Sequence, residues 1–449
     1  MKKILTIITV LIITLYLHGQ NDVIKYDSMI SAKHLKHDLN DWFDWIHKTH
    51  PDLSYTIKDI DAFYKSFDSI KEDIREPMTG LEFSRKISTL NHTLSDGHML
   101  VGGLSIDNLR DFLANDGLLF PFEVVFDKDN LLIKSDLGTY SANKYTSYRI
   151  TEINKVPIET ILRDLLLRVN GDSETQQKAL LATRFSRSFL FLYGEKKEFD
   201  IEYEFNGNKF TIHANGSNEM PKHYKIEEQF NDNYKFEIID KKNALLTVNS
   251  FNWKNRKQYL DFMNAAFKKL KEKNVKHLII DIRENGGGSD NNWMEGILKY
   301  IADKPYRWGS KFKVKILANS RDKGEVVGSV ETGDLDKFIH VNDTTSFKFN
   351  GQVSVLIGPY TYSSSILFAN TVQDYNFAAL VGEPTGGKSG QTGGIQIMVL
   401  KNSKLKAFCP RFILERPNGG MSLEPVVPDK IIKYSKINPE GLISKVLIK

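Results

Sequence analysis

Apolar side chains recur at helical spacing through the first hundred residues of the chain. Their spacing of four, three and four positions predicts a helix whose apolar face consists of Leu35, Leu39, Trp42 and Ile46. Two further helices are predicted after it, the second of them beginning at the capping-box pair Thr79 and Glu82. These patterns predict a helical N-terminal module over residues 25–100.

Strand-like alternation replaces the helical pattern from about residue 115. Apolar runs such as LLFPFEVVF and YRITEI predict strands, and Asn206-Gly207 predicts a hairpin turn between two of them. A helical stretch over about residues 157–193 interrupts these strands. Residues 110–217 are therefore predicted to form a second module with a helical insertion, and the polar run NGSNEMPKHYKIEEQFNDN predicts a linker after it.

Buried strands and helices alternate in the second half of the chain. The runs HLIIDI, VSVLIG and AALVG are strand-like, and helices are predicted over residues 256–272, 290–302 and 363–374. Such alternation is typical of an α/β fold whose strands pair in parallel. Residues 233–449 are therefore predicted to form an α/β core.

The N-terminus has the pattern of a cleavable secretory signal. MKK supplies positive charge, and ILTIITVLIITLYL is a 14-residue apolar run. A membrane span needs roughly 20 apolar residues, so an uncleaved anchor is the less favoured alternative. Residues 1–20 are predicted to be removed on export to the periplasm or the outside of the cell, and no stable membrane span is expected afterwards.

Composition and charge narrow the function classes. Of the 449 residues, 41% are hydrophobic and 26% are charged, which suits a globular protein with a large core. The formal net charge of +5 is small for this length, so nucleic acid binding is not predicted. Histidine and cysteine lack the spacing of metal ligands, and neither a metal nor an organic cofactor is predicted. The single cysteine, Cys409, lies in the apolar run LKAFCPRFIL and is predicted to be a buried small hydrophobe.

Three glycines follow a strand-like run in the sequence LIIDIRENGGGSDNNW. Gly286, Gly287 and Gly288 let backbone N–H groups approach a ligand, and the helix predicted after them adds a positive dipole end. Such a turn can bind a phosphate or a developing oxyanion. It lacks the Gly-Lys-Ser/Thr of a P-loop. A tight turn that only joins a strand to a helix is the alternative interpretation.

Three serines stand at a second strand-to-helix junction, in GPYTYSSSILFA. Ser363 could be a nucleophile at the end of a strand, with the N–H of Ser364 pointing the same way as an oxyanion donor. The alternative is a helix cap, since serine often satisfies free N–H groups at a helix start. The surrounding sequence is not the Gly-x-Ser-x-Gly elbow of other hydrolases.

Two basic side chains are candidates for a general base. Lys388 lies in the glycine-rich turn GEPTGGKSGQ and could accept a proton if burial lowered its pKa. His98 lies in LSDGHML, between a helix and a strand-like run, and an imidazole is largely neutral near pH 7. Taken singly, each residue is also consistent with a solvated or structural side chain.

The order and spacing of these motifs resemble the carboxyl-terminal processing, or tail-specific, serine peptidase family, including its tricorn-like members. In that family Asn-Gly-Gly-Gly follows a strand, an Asp lies 11 residues after the serine, and a Gly-Glu-x-Thr-x-Gly-Lys turn places Lys 25 residues after it. Here Ser363 is followed at those spacings by Asp374 and Lys388. The resemblance covers most of the mature chain. The run EPVVPDKII is similar to the closing element of the family, which implies that Glu424 lies near the site.

The resemblance implies a crotonase/Clp-protease-like α/β core, with RITEINKVPIETIL belonging to a PDZ-like module. It implies an exported serine endopeptidase that cleaves near the C-termini of peptides or unfolded proteins. Ser363 would form an acyl-enzyme, and the N–H groups of Ser364 and of Gly287 or Gly288 would stabilise the oxyanion. Asp374 would support the site. The oligomeric state and the natural substrate are not indicated.

The resemblance leaves the general base open. Tricorn-like members use a His from this N-terminal position, which Glu424 would orient here, with Asp96 as the alternative partner. Lysine-type members use the Lys of the glycine-rich turn, here Lys388, although Asp-x-His also occurs among them. We favour His98, because an imidazole needs no pKa shift to act as a base near pH 7.

Two positions depart from the family pattern. Thr392 stands four residues after Lys388, where lysine-type members often carry Gln, and Ile366 stands where Glu is frequent. These departures motivate the alternative that the chain is a non-catalytic peptide-binding protein on the same scaffold. A crotonase-like enzyme acting on acyl-thioesters is disfavoured, because export would separate it from coenzyme A.

Overall fold

The structure is a computed structural model, and it describes residues 28–447 except for 140, 342–345 and 421–422. The predicted signal peptide, residues 1–20, lies outside the described residues. Within the described ranges, no helix is both long and apolar enough to cross a membrane. The chain divides into two compact units. The N-terminal unit extends to Lys225 and includes Ile395–Pro410, and the α/β unit comprises Ile226–Gly394 and the residues from Arg411 onward.

The helical part of the N-terminal unit contains the three predicted helices and a further one, Ile106–Ala114, beyond the predicted boundary at residue 100. Its helices are Ala32–Thr49, Ile60–Asp73, Gly80–Ile87 and Ile106–Ala114, with 3-10 turns at Leu53–Tyr55 and Ser88–Thr93 and a two-residue ladder between Met29–Ile30 and Met78–Thr79. The predicted apolar faces pack into one core, in which Leu35, Leu39 and Ile46 are fully buried. The predicted capping box is present, because Thr79 and Glu82 each accept a hydrogen bond from the backbone of the other.

Residues Ile395–Pro410 lie in the N-terminal unit, although the sequence predicted them to be part of the α/β core, so this part of the prediction is wrong. A small antiparallel sheet is formed there by the strands Leu100–Val101, Gln396–Val399 and Lys406–Cys409. The physical reason is apolar packing, since the core of the N-terminal helices also buries Leu400, Leu405, Ala407 and Cys409. Cys409 is thus the buried hydrophobe that the sequence predicted, and burial raises the pKa of its thiol.

The second part of the N-terminal unit is an antiparallel sheet packed against two helices. In spatial order its strands are Phe122–Asp127, Asn130–Asp136, Arg149–Ile153, Glu198–Phe205 and Asn208–Asn215, and the third also pairs with Val156–Pro157. The predicted helical insertion consists of Ile158–Leu166 and Glu174–Tyr193. The predicted hairpin turn is present at Asn206 and Gly207, which both have positive φ.

A six-stranded sheet forms the centre of the α/β unit, as the alternation of strands and helices predicted. In spatial order its strands are Tyr234–Ile238, Asn243–Val248, His277–Asp281, Gln352–Ile357, Ala379–Gly382 and Lys430–Ile431. The first two strands are antiparallel, and all later neighbours are parallel. A second sheet is antiparallel, and in spatial order its strands are Val330–Asp334, Lys311–Lys315, Phe412–Leu414 and Gln391–Gly393. The next strand in the chain, Gln396–Val399, belongs to the small sheet of the N-terminal unit.

The longer helices of the α/β unit are Arg256–Glu272 and Ser364–Asp374, here called the serine helix. A third helix begins as Asp290–Trp293, passes through a π-helical turn at Met294–Leu298 and ends as Lys299–Ile301. The C-terminal helix is Gly441–Val446. The polar run predicted as a linker contains the short helices Lys222–Glu228 and Phe230–Asn233.

Parallel pairing brings two strand-to-helix junctions to one edge of the central sheet. Strand His277–Asp281 lies directly beside strand Gln352–Ile357, with Asp281 opposite Leu356. The glycine turn, residues 282–289, and the serine turn, residues 358–363, therefore leave neighbouring strands at their carboxyl ends. In open parallel sheets this edge is where ligands usually bind.

Candidate active site

The glycine turn touches the serine turn at Gly287 and Ser363. A β-carbon placed on Gly287 would lie only 2.7 Å from the Ser363 β-carbon and 3.0 Å from the Tyr362 carbonyl oxygen. Any side chain at position 287 would therefore collide with the serine turn. The Tyr362 N–H also donates to the Asn285 carbonyl at 3.1 Å, which ties the two turns together. The structure thus brings the predicted nucleophile and the predicted oxyanion loop into direct contact.

Ser363 has a strained backbone and does not cap the serine helix. Its φ of 55° and ψ of −125° lie outside the regions that residues with a β-carbon ordinarily occupy. Its side chain makes no capping hydrogen bond to the helix, so the cap interpretation of this serine is wrong. Backbone strain of this kind is concentrated at functional sites. The strained, half-buried Ser363 is therefore the candidate nucleophile of this site.

The structure separates the two glycines that were predicted as oxyanion donors. The Gly287 N–H donates to the Asn285 side-chain oxygen at 2.9 Å, so it is already used within the turn. For the Gly288 N–H, no acceptor is present among the residues that the structure describes. The Ser364 N–H is in the first turn of the serine helix, where backbone N–H groups have no partner within the helix. Gly288 and Ser364 are therefore the better candidates for oxyanion donors.

The lysine turn, residues 385–391, packs against the start of the serine helix. A β-carbon on Gly387 would lie 2.5 Å from the Tyr362 ring, so this close approach requires glycine. The Asn370 side chain donates to the Ser389 carbonyl at 2.8 Å, one turn and a half further along the helix. Lys388 lies between these two contacts and is buried, with 6% of its surface exposed. The structure therefore places Lys388 beside the helix that Ser363 precedes.

Glu424 lies beside the lysine turn. Its carbonyl accepts the Ser389 N–H at 2.8 Å, and the next residue, Pro425, forms an isolated β-bridge with Lys388. The side chain of Glu424 is exposed. The chain segment that the family resemblance placed near the site is thus next to Lys388.

Asp374 lies at the opposite end of the serine helix from Ser363. The helix between them is about 15 Å long. The Asp374 carboxylate is bound by the Arg416 guanidinium and by the N–H and side chain of Asn418. Asp374 therefore fixes the C-terminal end of the helix, and any support that it gives the site is indirect.

His98 belongs to the N-terminal unit, where it lies in a tight turn. Its N–H donates to the Asp96 carboxylate at 2.6 Å, whereas its Nδ1 is 3.9 Å from the same oxygen. That oxygen therefore fixes the backbone of the turn instead of orienting the imidazole. Burial lowers the pKa of His98 to about 4, against the charge of Asp172, which raises it. The imidazole is accordingly neutral at pH 7, as a general base must be.

Three buried polar residues were not predicted from the sequence. Asn170 donates to the Gly97 carbonyl at 2.6 Å and Asp172 accepts the Gly97 N–H at 2.8 Å, so both hold the Asp-Gly-His turn. Asp290 is buried and accepts a hydrogen bond from the Ser364 hydroxyl. The available signals were the run NGDSE and an acidic residue at a helix start, which are equally typical of ordinary helix caps.

Sequence comparison connects the α/β unit with known peptidases. Residues 242–430 match the model of peptidase family S41. A segment of 120 residues is 28% identical to the tail-specific protease of Haemophilus influenzae (strain ATCC 51907 / DSM 11121 / KW20 / Rd). This match covers 27% of the present chain and 14% of that relative. The resemblance that the motifs indicated is confirmed by these matches.

Structural comparison extends over nearly the whole chain. Mature CPAF complexed with lactacystin superposes with a TM-score of 0.68 at 13% sequence identity, covering 92% of this chain and 97% of that one. A second structure of mature CPAF has a TM-score of 0.66 at 12% identity, covering 91% and 94%. At this level of identity the similarity is one of fold.

Proposed function

Because residues 242–430 match the model of peptidase family S41, we propose that this chain is an exported serine endopeptidase that cleaves peptide bonds through an acyl-enzyme on Ser363. The observation that carries the proposal is the contact between Gly287 and Ser363. It supports a nucleophile that is held in a strained turn directly beside a loop of backbone N–H groups. A structural helix cap would require neither the strain nor the close approach.

The chemistry proposed for this site is acyl transfer in two steps. The Ser363 hydroxyl adds to the peptide carbonyl carbon while a general base takes its proton, and the carbonyl oxygen becomes an oxyanion. The N–H groups of Gly288 and Ser364 would stabilise that charge. Collapse of the intermediate breaks the C–N bond, and the base returns the proton to the leaving amine. Water then adds to the ester in the same way and releases the carboxylic acid and free Ser363.

The general base is proposed to be His98, with Lys388 as the alternative. Burial keeps the His98 imidazole uncharged across the neutral range, as a general base requires, although its pKa of about 4 makes it a weaker base than an ordinary imidazole. Glu424 is proposed to orient the base, as the family resemblance implies, and its backbone lies beside the lysine turn. The burial of Lys388 against the serine helix is the observation that keeps the alternative open.

The substrates are proposed to be peptides or unfolded proteins cleaved near their C-termini. The Haemophilus influenzae relative is named a tail-specific protease, and the match to it covers 27% of this chain and 14% of that relative. A PDZ-like module over residues 110–217 would bind the substrate terminus, and a crotonase/Clp-protease-like core over residues 233–449 would cut. Residues 1–20 would be removed on export to the periplasm or the outside of the cell.

A fluorophosphonate probe tests the nucleophile directly. Wild-type protein is expected to be labelled at Ser363, and Ser363→Ala is expected to abolish labelling and peptide hydrolysis. The matched control is Ser365→Ala, since the Ser365 hydroxyl is buried and has no hydrogen-bond partner among the described residues. The control should keep both activities. Equal labelling of wild type and Ser363→Ala would show that the assignment is wrong.

The non-catalytic alternative makes a different prediction for the same protein. A peptide-binding protein would retain a library peptide for hours without cleaving it, and mass spectrometry of the library would show no new termini. Export is checked by N-terminal sequencing of protein recovered from the cell envelope or medium. A mature N-terminus close to residue 20 is expected, and an intact Met1 in that fraction would contradict signal cleavage.

A further inference from the structure

A buried carboxyl group lies directly behind the serine turn. Asp290 accepts a hydrogen bond from the Ser364 hydroxyl, and the Trp293 indole N–H donates to that hydroxyl at 2.9 Å and to Asp290 at 3.3 Å. These three side chains are almost fully buried, with 6%, 3% and 0% of Asp290, Ser364 and Trp293 exposed. They form a closed triangle of hydrogen bonds.

This triangle joins the two chain segments that carry the proposed oxyanion donors. Asp290 lies two residues after Gly288, and both Asp290 and Trp293 are on the first turn of the helix that follows the glycine turn. Ser364 is the first residue of the serine helix and directly follows Ser363. The Ser364 side chain is therefore fixed to the segment of Gly288, and its own N–H is fixed with it.

We propose that Asp290 is a positioning residue of the active site, which holds the Ser364 N–H in the direction of the oxyanion by anchoring the Ser364 hydroxyl. This inference rests on the proposed peptidase function. The hydroxyl has one donor and accepting lone pairs, and Trp293 uses it as acceptor, so Asp290 is the group that fixes its proton. Without that acceptor the hydroxyl and the first turn of the helix lose their common orientation.

The second carboxyl oxygen of Asp290 bears on the protonation state of this group. Oδ2 is buried and has no hydrogen-bond partner among the residues that the structure describes. Burial raises the pKa of Asp290 to about 6, although the bonds from Ser364 and Trp293 lower it. A carboxylate at this place would oppose a developing oxyanion nearby, whereas the neutral acid keeps the hydrogen bond without that repulsion.

The titratable groups on the neighbouring elements do not offset this charge. On helix Arg256–Glu272, the buried Tyr259 donates to the Asn292 carbonyl at 3.2 Å, and Arg256 at the start of that helix pairs with Glu295 of the π-helical turn. On the serine helix the titratable residue is Asp374, at its far end. The ionisation of Asp290 is thus set by burial and by its two hydrogen-bond donors.

The test compares Asp290→Asn with Asp290→Ala, with kcat normalised to sites titrated by the fluorophosphonate probe. Asp290→Ala removes the acceptor, and kcat is expected to fall about 10-fold with little change in KM, because a loosened oxyanion donor acts in the transition state. Asp290→Asn keeps an acceptor oxygen but cannot ionise. The ratio of its kcat to the wild-type kcat is expected to be higher at pH 8 than at pH 5 by about 3-fold or more.

A buried acid elsewhere provides the matched control. In the N-terminal unit, Asp38 is fully buried and is bound by the backbone and side chain of Asn402 and by the Ser403 N–H. Asp38→Asn is expected to lower stability without changing kcat per titrated site or its pH profile. A purely structural Asp290 would give the same result as this control.

The outcomes distinguish a failure of the positioning role from a failure of the peptidase function. If Asp290→Ala has the wild-type kcat per titrated site, the positioning role is wrong and the peptidase function stands. If Asp290→Ala does not fold, Ser364→Ala, which removes the anchored hydroxyl, takes its place, and an unchanged kcat per titrated site then contradicts the positioning role. An equal ratio of Asp290→Asn to wild type at pH 5 and pH 8 would contradict the ionisation of Asp290 in this range. If wild-type protein is never labelled, the proposed function fails and this role fails with it.

Discussion

The β-carbon that any side chain would place on Gly287 falls 2.7 Å from the β-carbon of Ser363. Carbon atoms in favourable non-bonded contact lie about 3.5–4.0 Å apart, so the two turns approach this closely only because residue 287 has no side chain. Gly287 also has a φ of 112°, which favours glycine for a second reason. The two effects of a substitution, steric collision and backbone strain, can be separated experimentally.

Gly287→Ala is expected to lower kcat/KM at least about 100-fold, because the added methyl group must displace the serine turn from its productive position. Gly324→Ala is the matched control in the same unit. Gly324 has a φ of 93°, and a β-carbon there would meet no atom within 4 Å, so this variant carries the strain without the collision. It should keep wild-type kcat/KM in a peptide assay. Comparable activity of both variants would contradict the importance of the contact.

His98 is expected to make the protein sensitive to mild acid. Its pKa is about 4 in the folded protein and about 6.5 when unfolded, so the unfolded chain binds the extra proton between these values. Stability contributed by the neutral imidazole is fully present above pH 6.5 and falls as the pH decreases towards 4. The loss is about 3 kcal/mol. Urea unfolding at pH 7 and pH 4.5 measures it.

His98→Asn is expected to remove this component of the acid sensitivity, because asparagine does not titrate. The difference in free energy of unfolding between pH 7 and pH 4.5 should become smaller than in wild type. An unchanged difference in His98→Asn would show that this imidazole is not held neutral by burial.

Asp290 is expected to have the opposite dependence on pH. Its pKa is raised from 3.8 to about 6, so the folded protein binds the extra proton between these values. The stability that protonated Asp290 contributes is fully present below pH 3.8. It is lost as the pH rises through 6, and the loss is about 3 kcal/mol. Asp290→Asn should therefore gain stability relative to wild type between pH 4.5 and pH 8. Denaturant unfolding at both pH values tests this sign.

Asp374→Asn is the informative comparison for that experiment. This carboxylate is bound by Arg416 and Asn418, so its replacement breaks charge-assisted hydrogen bonds that the folded protein uses. Asp374→Asn is expected to destabilise by about 1–3 kcal/mol at pH 8. A stabilising effect of Asp374→Asn, or a destabilising trend for Asp290→Asn with rising pH, would contradict the roles that burial and pairing assign to the two acids.

Local patterns predicted the elements that carry the site. The spacing of Leu35, Leu39 and Ile46 gave the first helix, and the alternation of strands and helices around the glycine and serine turns gave the parallel sheet. Both depend on short-range periodicity that tertiary packing reinforces. The direct contact of Gly287 and Ser363 is not visible in the sequence, because it depends on the register of two strands about seventy residues apart.

Long-range packing explains what the sequence did not indicate. The strands around Cys409 have the apolar pattern of any core strand, and nothing local shows that their side chains join the N-terminal helices. Asp290 and Asp172 look like residues of ordinary helix starts, and only burial and their partners distinguish them. Periodicity identifies which face of an element is buried, but it does not identify the element that covers it.

The last prediction concerns the group that takes the proton from Ser363. His98→Ala is expected to reduce kcat at least about 1000-fold, whereas Lys388→Met, which keeps an unbranched apolar stem of similar length, is expected to reduce it less. The variants are compared on one peptide at equal concentrations of folded protein, measured by circular dichroism, so that a loss of folded protein is not counted as a loss of catalysis. A general base titrates in the pH dependence of kcat/KM for the free enzyme. With His98 as the base, the wild-type ascending limb should lie well below pH 6.5, because burial lowers the pKa of this imidazole to about 4. A limb that lies above pH 7, together with near wild-type kcat in His98→Ala and none in Lys388→Met, would establish a serine–lysine pair instead.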